Sequence, residues 1–323
     1  MGATAVQLLP LQDFDNNEDE AVGEYAWGYM PVHFFSPDGW YASGSRTDST
    51  RVRELKELVS AMHEAGLRVI LDVVFNHTAE DVNERNLDAR FSFNGVAPRY
   101  YYRTCGNTPL SASGHRTCAL TLAGAPTCGG CYSNGSGCGN EMRSEAPMAR
   151  KFIIDCLRYW ATEYGMDGFR FDLMGLVDVP TLTAASTALK AIDDGILLYG
   201  EPWTGGMTPM APTYKGTQRG RGFGVFNDTF RDALRGSPFH VSSCFVLDGV
   251  CVDEVKRGIM GSVDDFADAP TEVINYVACH DNRTLYDQLW EIYRGGGEDT
   301  GADVAPPPSS CRHVSKCHVE PLL

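Results

Sequence analysis

The run Gly168-Phe169-Arg170-Phe171-Asp172 ends a short apolar stretch on a carboxylate. Tyr199-Gly200-Glu201-Pro202-Trp203 and Cys279-His280-Asp281-Asn282 do the same. An isolated charge is costly to bury, so acids at the ends of buried strands point to a chemical task. Two carboxylates flanking one glycosidic bond can divide the work of nucleophile and proton donor. Arg170 lies two residues before Asp172, so on a strand both side chains point to the same face. A cation there keeps Asp172 ionised.

The elements that must carry these acids are legible as an alternation. Residues 5–9 read as a strand. Val52, Leu55, Leu58, Val59 and Met62 recur at helical spacing, with Gly66 as the cap that follows. The run Arg68-Val69-Ile70-Leu71-Asp72-Val73-Val74-Phe75 predicts a strand buried on both faces. Phe152, Ile153, Cys156, Leu157 and Trp160 form the next helical stripe, and residues 168–171 the next strand. A helix over 180–192, opened by Pro180, precedes strands at 196–200, 224–226 and 273–278. Such alternation implies a parallel sheet with right-handed crossovers. Polar or acidic residues past each strand's C-terminal end predict an α/β fold of the (β/α)8 TIM-type barrel class. A doubly wound sheet would require a glycine-rich phosphate loop after the first strand, and Leu9-Pro10-Leu11-Gln12-Asp13 is not one.

At 323 residues the chain can bury a large core, and its 43% hydrophobic and 21% charged content is that of a globular protein. A net charge of -15 argues against nucleic acid or an anionic membrane as partner and leaves a neutral substrate open. No apolar run is long enough to span a bilayer. Residues 1–10 lack a basic leader segment and read as a strand that starts at once, so upstream sequence is expected.

The 11 cysteines cannot all pair within the chain. Cys105, Cys118, Cys128, Cys131 and Cys138 crowd an insertion over about 78–148, which is expected to shape a cleft. Cys128 and Cys131 have the spacing of half a zinc site. With no second close pair after them, a cysteine-rich or disulfide-bearing insertion is the preferred reading. Cys311, His313, Cys317 and His318 mimic a ligand set within a proline-rich tail that lacks apolar periodicity.

Four segments together resemble the signature regions of the α-amylase clan of glycoside hydrolases, in the family's order. They are Asp72-Val73-Val74-Phe75-Asn76-His77, residues 168–172, residues 199–203 and residues 277–282. Tyr25-Ala26-Trp27-Gly28-Tyr29 resembles the hallmark of type I pullulanases, with Ala26 in place of an Asn. Residues 226–232 and 135–145 are also similar to starch-debranching enzymes. The resemblance implies Asp172 as nucleophile, Glu201 as general acid/base with a raised pKa, and Asp281 as the third acid that grips sugar hydroxyls. It implies His77 and His280 as hydrogen-bond partners of the sugar at the scissile bond, Tyr29 as its stacking aromatic, and Arg170, Trp203 and Asn282 as further substrate contacts. Trp27 and Trp40 are cleft wall or core. Asn76 matches a position that ligates calcium in many amylases. Debranching enzymes often lack that ion and no full set of oxygen ligands is identifiable, so no metal or other cofactor is expected and calcium is the alternative.

The implied activity is retaining hydrolysis of α-1,6 branch linkages in pullulan, starch, glycogen or limit dextrin, by a monomer acting on an α-glucan. The alternatives are an isoamylase-like or α-1,4-acting hydrolase of the same clan, and a truncated, inactive glucan-binding fragment. The family's first strand would precede Met1 and its eighth would follow Trp290. The expectation is therefore an incomplete barrel over residues 1–292, lacking its first and last strands, with residues 293–323 as a disordered or aberrant tail.

Overall fold

The computed structural model of the chain describes residues 2–16, 26–44, 48–80, 92–97, 99–104, 132–238 and 243–296. Cys105, Cys118, Cys128 and Cys131, the Cys311–His318 group, and Tyr25 lie outside the described residues. The strands are β1 (Ala5–Leu8), β2 (Gln12–Phe14), β3 (Pro31–Pro37), β4 (Arg68–Val73), β5 (Gly168–Phe171), β6 (Leu197–Gly200), β7 (Gly224–Phe226) and β8 (Val273–Ile274). Six of them make one sheet in the order β1-β4-β5-β6-β7-β8, and β2 pairs with β3 in a separate antiparallel ribbon. The chain forms two compact units, one of Gln7–Val225 and one of Met1–Val6 with Phe226–Leu323.

In the larger unit β4, β5 and β6 run parallel, with Asp72 opposite Arg170 and Arg170 opposite Tyr199. Both β5 and all of β4 past Arg68 are buried, as their uninterrupted apolar runs require. Between the strands lie α1 (Thr50–Glu64), α2 (Phe93–Val96), α3 (Pro147–Glu163) and α4 (Val179–Lys190). Pro147 opens α3, where its missing N–H costs nothing, and Ile153, Cys156, Leu157 and Trp160 form its buried stripe. Fully burying each such side chain stabilises by about 1.5–3 kcal/mol. Trp160 also donates Nε1–H to the Phe34 carbonyl of β3 at 2.8 Å.

Several elements differ from what the sequence predicts. Leu55 and Val59 of the α1 stripe are buried, but Leu58 is 42% exposed, because that stripe is narrower than its apolar residues suggest. Helix α1 stops at a left-handed Gly66 (φ +76°), whose N–H reaches the His63 carbonyl while Leu67 N–H reaches Met62. The β2–β3 ribbon was not foreseen. Its strands are short and irregular in register, and β3 begins and ends on proline.

The smaller unit holds β8 with α5 (Asp228–Arg235), α6 (Phe245–Asp248), α7 (Val252–Ile259) and α8 (Leu285–Gly296). Asn227 caps α5, accepting from Phe230 N–H at 3.0 Å, and its own N–H reaches the Ile274 carbonyl of β8 at 2.9 Å. The expected strand over 273–278 shrinks to Val273–Ile274. Beyond it the polar groups serve other partners: Asn275 donates to the Gly258 carbonyl, and the Val277 carbonyl accepts from Arg235.

Within the described part of the insertion, one cation carries the structure. Arg103, 2% exposed, donates to Glu141 at 2.6 Å, to Glu145 at 2.8 Å and to the Leu176 carbonyl at 2.9 Å. Glu141 is fully buried and accepts in addition from Ser133 Oγ at 2.6 Å and Gly135 N–H at 2.9 Å. A buried pair this well hydrogen-bonded offsets its own desolvation.

Candidate active site

Strand β5 presents Arg170 and Asp172 at its C-terminal end, β6 is followed at once by Glu201, and β4 carries Asp72. The parallel register sets these side by side. Arg170 is 2% exposed, and its guanidinium faces three carboxylates. Nη1 donates to Asp72 Oδ1 at 3.0 Å and to Asp172 Oδ1 at 3.1 Å, and Nη2 donates to Glu201 Oε1 at 2.5 Å. Asp172 and Glu201 are therefore both within hydrogen-bond reach of one planar group. One cation cannot neutralise three ionised carboxylates, so the cluster readily takes up a proton.

The backbone after β5 is bent to serve the second acid. Leu173 sits in the left-handed region (φ 38°, ψ 51°), which a branched residue enters only at a cost. The bend aims its N–H at Glu201 Oε2, 2.8 Å away. Glu201 is thus held on one oxygen by Arg170 and on the other by backbone. Asn76 holds Asp172 in turn, donating Nδ2–H to its Oδ2 at 2.8 Å and to its carbonyl at 2.9 Å. The Asn76 side-chain oxygen faces Nδ1 of His77. His77 Nε2, opposite a carbonyl that can only accept, donates to the Tyr29 backbone at 2.7 Å.

Tyr29 enters the cluster by its hydroxyl, which donates to Asp72 Oδ2 at 2.6 Å, while its ring lies 6.0 Å from the Arg170 guanidinium carbon. Its approach depends on Gly28 (φ +88°), where a Cβ would sit 2.6 Å from the Pro10 carbonyl. Burial pushes the Asp72 carboxyl up to about 7. The Arg170 charge opposes that rise and the Asp172 charge reinforces it. Burial and the negative charge of Asp72 push the Tyr29 hydroxyl well above its ordinary value. Burial lowers His77, and Asp172 partly offsets this. Burial works against the Arg170 cation too, but Asp72 and Glu201 outweigh it and hold it firmly protonated.

Of the residues expected from sequence, the structure brings Tyr29, His77, Arg170, Asp172 and Glu201 together in the larger unit. Trp203 lies in the same unit, half-buried, its carbonyl accepting from Gly175 N–H at 3.1 Å. Asp281, His280 and Asn282 belong to the smaller unit and form a turn of their own, closed by Asn282 N–H to the Cys279 carbonyl at 3.1 Å. There Asp281 is 48% exposed, and its Oδ1 lies 3.5 Å from His280 Nε2. Arg235 of α5 holds both flanks of that turn, donating to the Val277 carbonyl at 2.6 Å and to the Arg283 carbonyl at 2.7 Å.

Two residues were missed. Asp72 falls within a motif that by itself implies no task for it. The signal was available, since it is the one acid inside an otherwise apolar run that predicts burial on both faces. Arg235 left no comparable signal, because an arginine near the end of an amphipathic helix normally reads as surface.

The catalytic-domain model of the α-amylase family matches residues 50–109, which include β4 with Asp72. The pullulanase of Bacillus subtilis (strain 168) is 40% identical over 301 residues, covering 90% of this chain and 38% of that protein. The solved pullulanase from Bacillus acidopullulyticus superposes with a TM-score of 0.78 at 39% identity, over 92% of this chain and 34% of that one. The chain belongs to the α-amylase clan. The solved type I pullulanase from Bacillus subtilis str. 168, complexed with maltose, gives a TM-score of 0.75 at 39% identity, over 93% of this chain and 39% of that one. The chain thus spans about two fifths, or less, of the length of these clan relatives. Its sheet supplies six strands of the clan's (β/α)8 barrel among the described residues.

The carboxyl of Asp72 gives this clan member a pH signature. Its pKa is higher in the folded chain, about 7, than the ordinary 3.8, so the folded state binds the proton more tightly. The contribution from this group is fully present below the lower value and is lost as pH rises through the higher one. Asp72→Asn removes that loss. Relative to the parent, the variant is expected to gain stability steadily between about pH 4 and pH 7, as measured by urea denaturation at each pH. A difference that stays flat across this range would show that Asp72 is already ionised throughout it.

Proposed function

We propose that this chain is the catalytic portion of a retaining glycoside hydrolase that cleaves α-1,6-glucosidic branch linkages in an α-glucan such as pullulan, starch, glycogen or limit dextrin. The observation that carries the reading is the Arg170 guanidinium shared by Asp172 and Glu201. It fixes two carboxylates side by side at strand ends, as a nucleophile and a proton donor acting on one bond require. Likeness to pullulanases, one of them solved with maltose, supports the glucan.

Asp172 attacks the anomeric carbon and forms a glycosyl-enzyme, while Glu201 protonates the departing glycosidic oxygen. Glu201 then takes a proton from water, which attacks the same carbon and releases the sugar with its configuration retained. Asn76 and Arg170 aim the nucleophile, and the Leu173 N–H with Arg170 aims the acid. Tyr29 and His77 are assigned to the sugar at the scissile bond, and Trp203 to a further contact with the substrate. Asp281, His280 and Asn282 are assigned to its hydroxyls. No resident metal takes part in this scheme.

Glu201→Gln tests the proton-donor role. Release of reducing ends from pullulan is expected to fall by about 10²–10⁴-fold. Formation of the glycosyl-enzyme should be far less impaired on aryl α-maltosides whose phenolate leaves without protonation. It is read as a burst of released phenol before the slower step that still needs Glu201 as base. Parent-like turnover of pullulan by the variant, or the absence of that burst, would remove Glu201 from the role.

A further inference from the structure

We propose that Cys279, His280 and Asp281 form a chelating site for a zinc-type divalent cation. The thiol sulfur, an imidazole nitrogen and a carboxylate oxygen all lie within 4.8 Å of one another. Three consecutive side chains rarely converge, and here the backbone explains it. The turn closed by Asn282 N–H on the Cys279 carbonyl folds the three onto one side. Arg235 grips the Val277 and Arg283 carbonyls on either flank, so the turn is held by the body of the unit.

The donor set selects the ion. Thiolate and imidazole favour zinc, cobalt or cadmium, whereas calcium and magnesium want oxygen ligands throughout. Zinc holds sulfur at about 2.3 Å and nitrogen or oxygen at about 2.0–2.2 Å. Ligand atoms around it are therefore roughly 3–4 Å apart, so small rotations of the three side chains close the shell, and water takes the fourth position. Cys279 gives up its thiol proton to solvent on binding. The half-buried cysteine and histidine leave the 48% exposed Asp281 as the point of entry.

The consequence rests on the proposed function. A carboxylate that ligates a cation is withdrawn from sugar hydroxyls, so zinc at this turn inhibits glucan hydrolysis through Asp281.

The test is a titration of the full chain, stripped with a chelator, with Co²⁺ under reducing conditions. The near-ultraviolet thiolate-to-cobalt band is read, and Zn²⁺ is then used to displace the cobalt. The parent is expected to bind one more equivalent than Cys279→Ser, and neither Ca²⁺ nor Mg²⁺ should compete. His280→Gln should show the same loss of one equivalent, and it serves should the serine variant fail to fold by circular dichroism. Cys251→Ser, a cysteine elsewhere in the same unit, should bind as the parent does. An unchanged stoichiometry and band in folded Cys279→Ser or His280→Gln would overturn the site. In a pullulan assay Cys279→Ser should keep the basal rate and need at least about tenfold more Zn²⁺ for half-inhibition. Should no protein hydrolyse pullulan while the titration still separates parent from variants, the hydrolase reading falls and the cation site stands.

Discussion

Replacing Asp172 with Asn is expected to lower the turnover of pullulan on the order of 10⁴–10⁶-fold while leaving maltooligosaccharide binding close to that of the parent. The amide is nearly the size of the carboxylate and can still accept from Arg170, so the pocket keeps its shape. What it lacks is a lone pair basic enough to form the bond to the anomeric carbon. Asn76 keeps its Nδ2–H bond to the main-chain carbonyl of residue 172, but its second bond, to Oδ2, is lost because the amide nitrogen of the variant cannot accept. Binding is measured by calorimetry with maltotetraose, and turnover by reducing-end release. A variant that loses affinity and turnover together would point to a collapsed site, and near-parent turnover would place the nucleophile elsewhere.

Arg170→Met is expected to cost about 3–5 kcal/mol of stability, because it strands buried carboxylates that share one cation. Asp72 is fully buried and Glu201 is 3% exposed, so neither can recover its partner from solvent. The sign of the pH dependence follows. Without the guanidinium, which opposes the rise, the folded pKa of Asp72 moves still further above its unfolded value. The variant should therefore be least stable near neutral pH and regain stability as pH falls and the acids take up protons. Denaturant midpoints between pH 4 and 8 measure this. A loss below about 1 kcal/mol would show that the cluster already holds enough protons to dispense with its cation.

The parallel sheet and the positions of Asp172 and Glu201 were legible because one short signal encodes both. An apolar run that stops on an acid reports a buried strand and the residue at its end. The β2–β3 ribbon was not legible, because Gln12 and the flanking prolines hide a three-residue strand from any alternation rule. Strand β8 was read too long. Residues 275–278 look apolar enough to continue it, yet their polar groups serve α5 and α7. Asp72 was visible as an anomaly, but its meaning lies 98 residues away on Arg170. Arg235 likewise acquires its role from the flanks of a turn more than forty residues further on. Periodicity describes what a residue is buried against, and it carries no information on which distant partner a buried charge will meet.

The grip of Arg235 on the Val277 and Arg283 carbonyls separates contour from content in the turn between them. Both clasps fall on main-chain oxygens, which every residue type supplies, so the path of the turn is written from behind by α5. Within the turn the Cys279 thiol donates to Asn282 Oδ1 at 3.5 Å. A single substitution at either residue leaves both clasps in place, and the arginine is the position at which a substitution would undo the course of the whole turn.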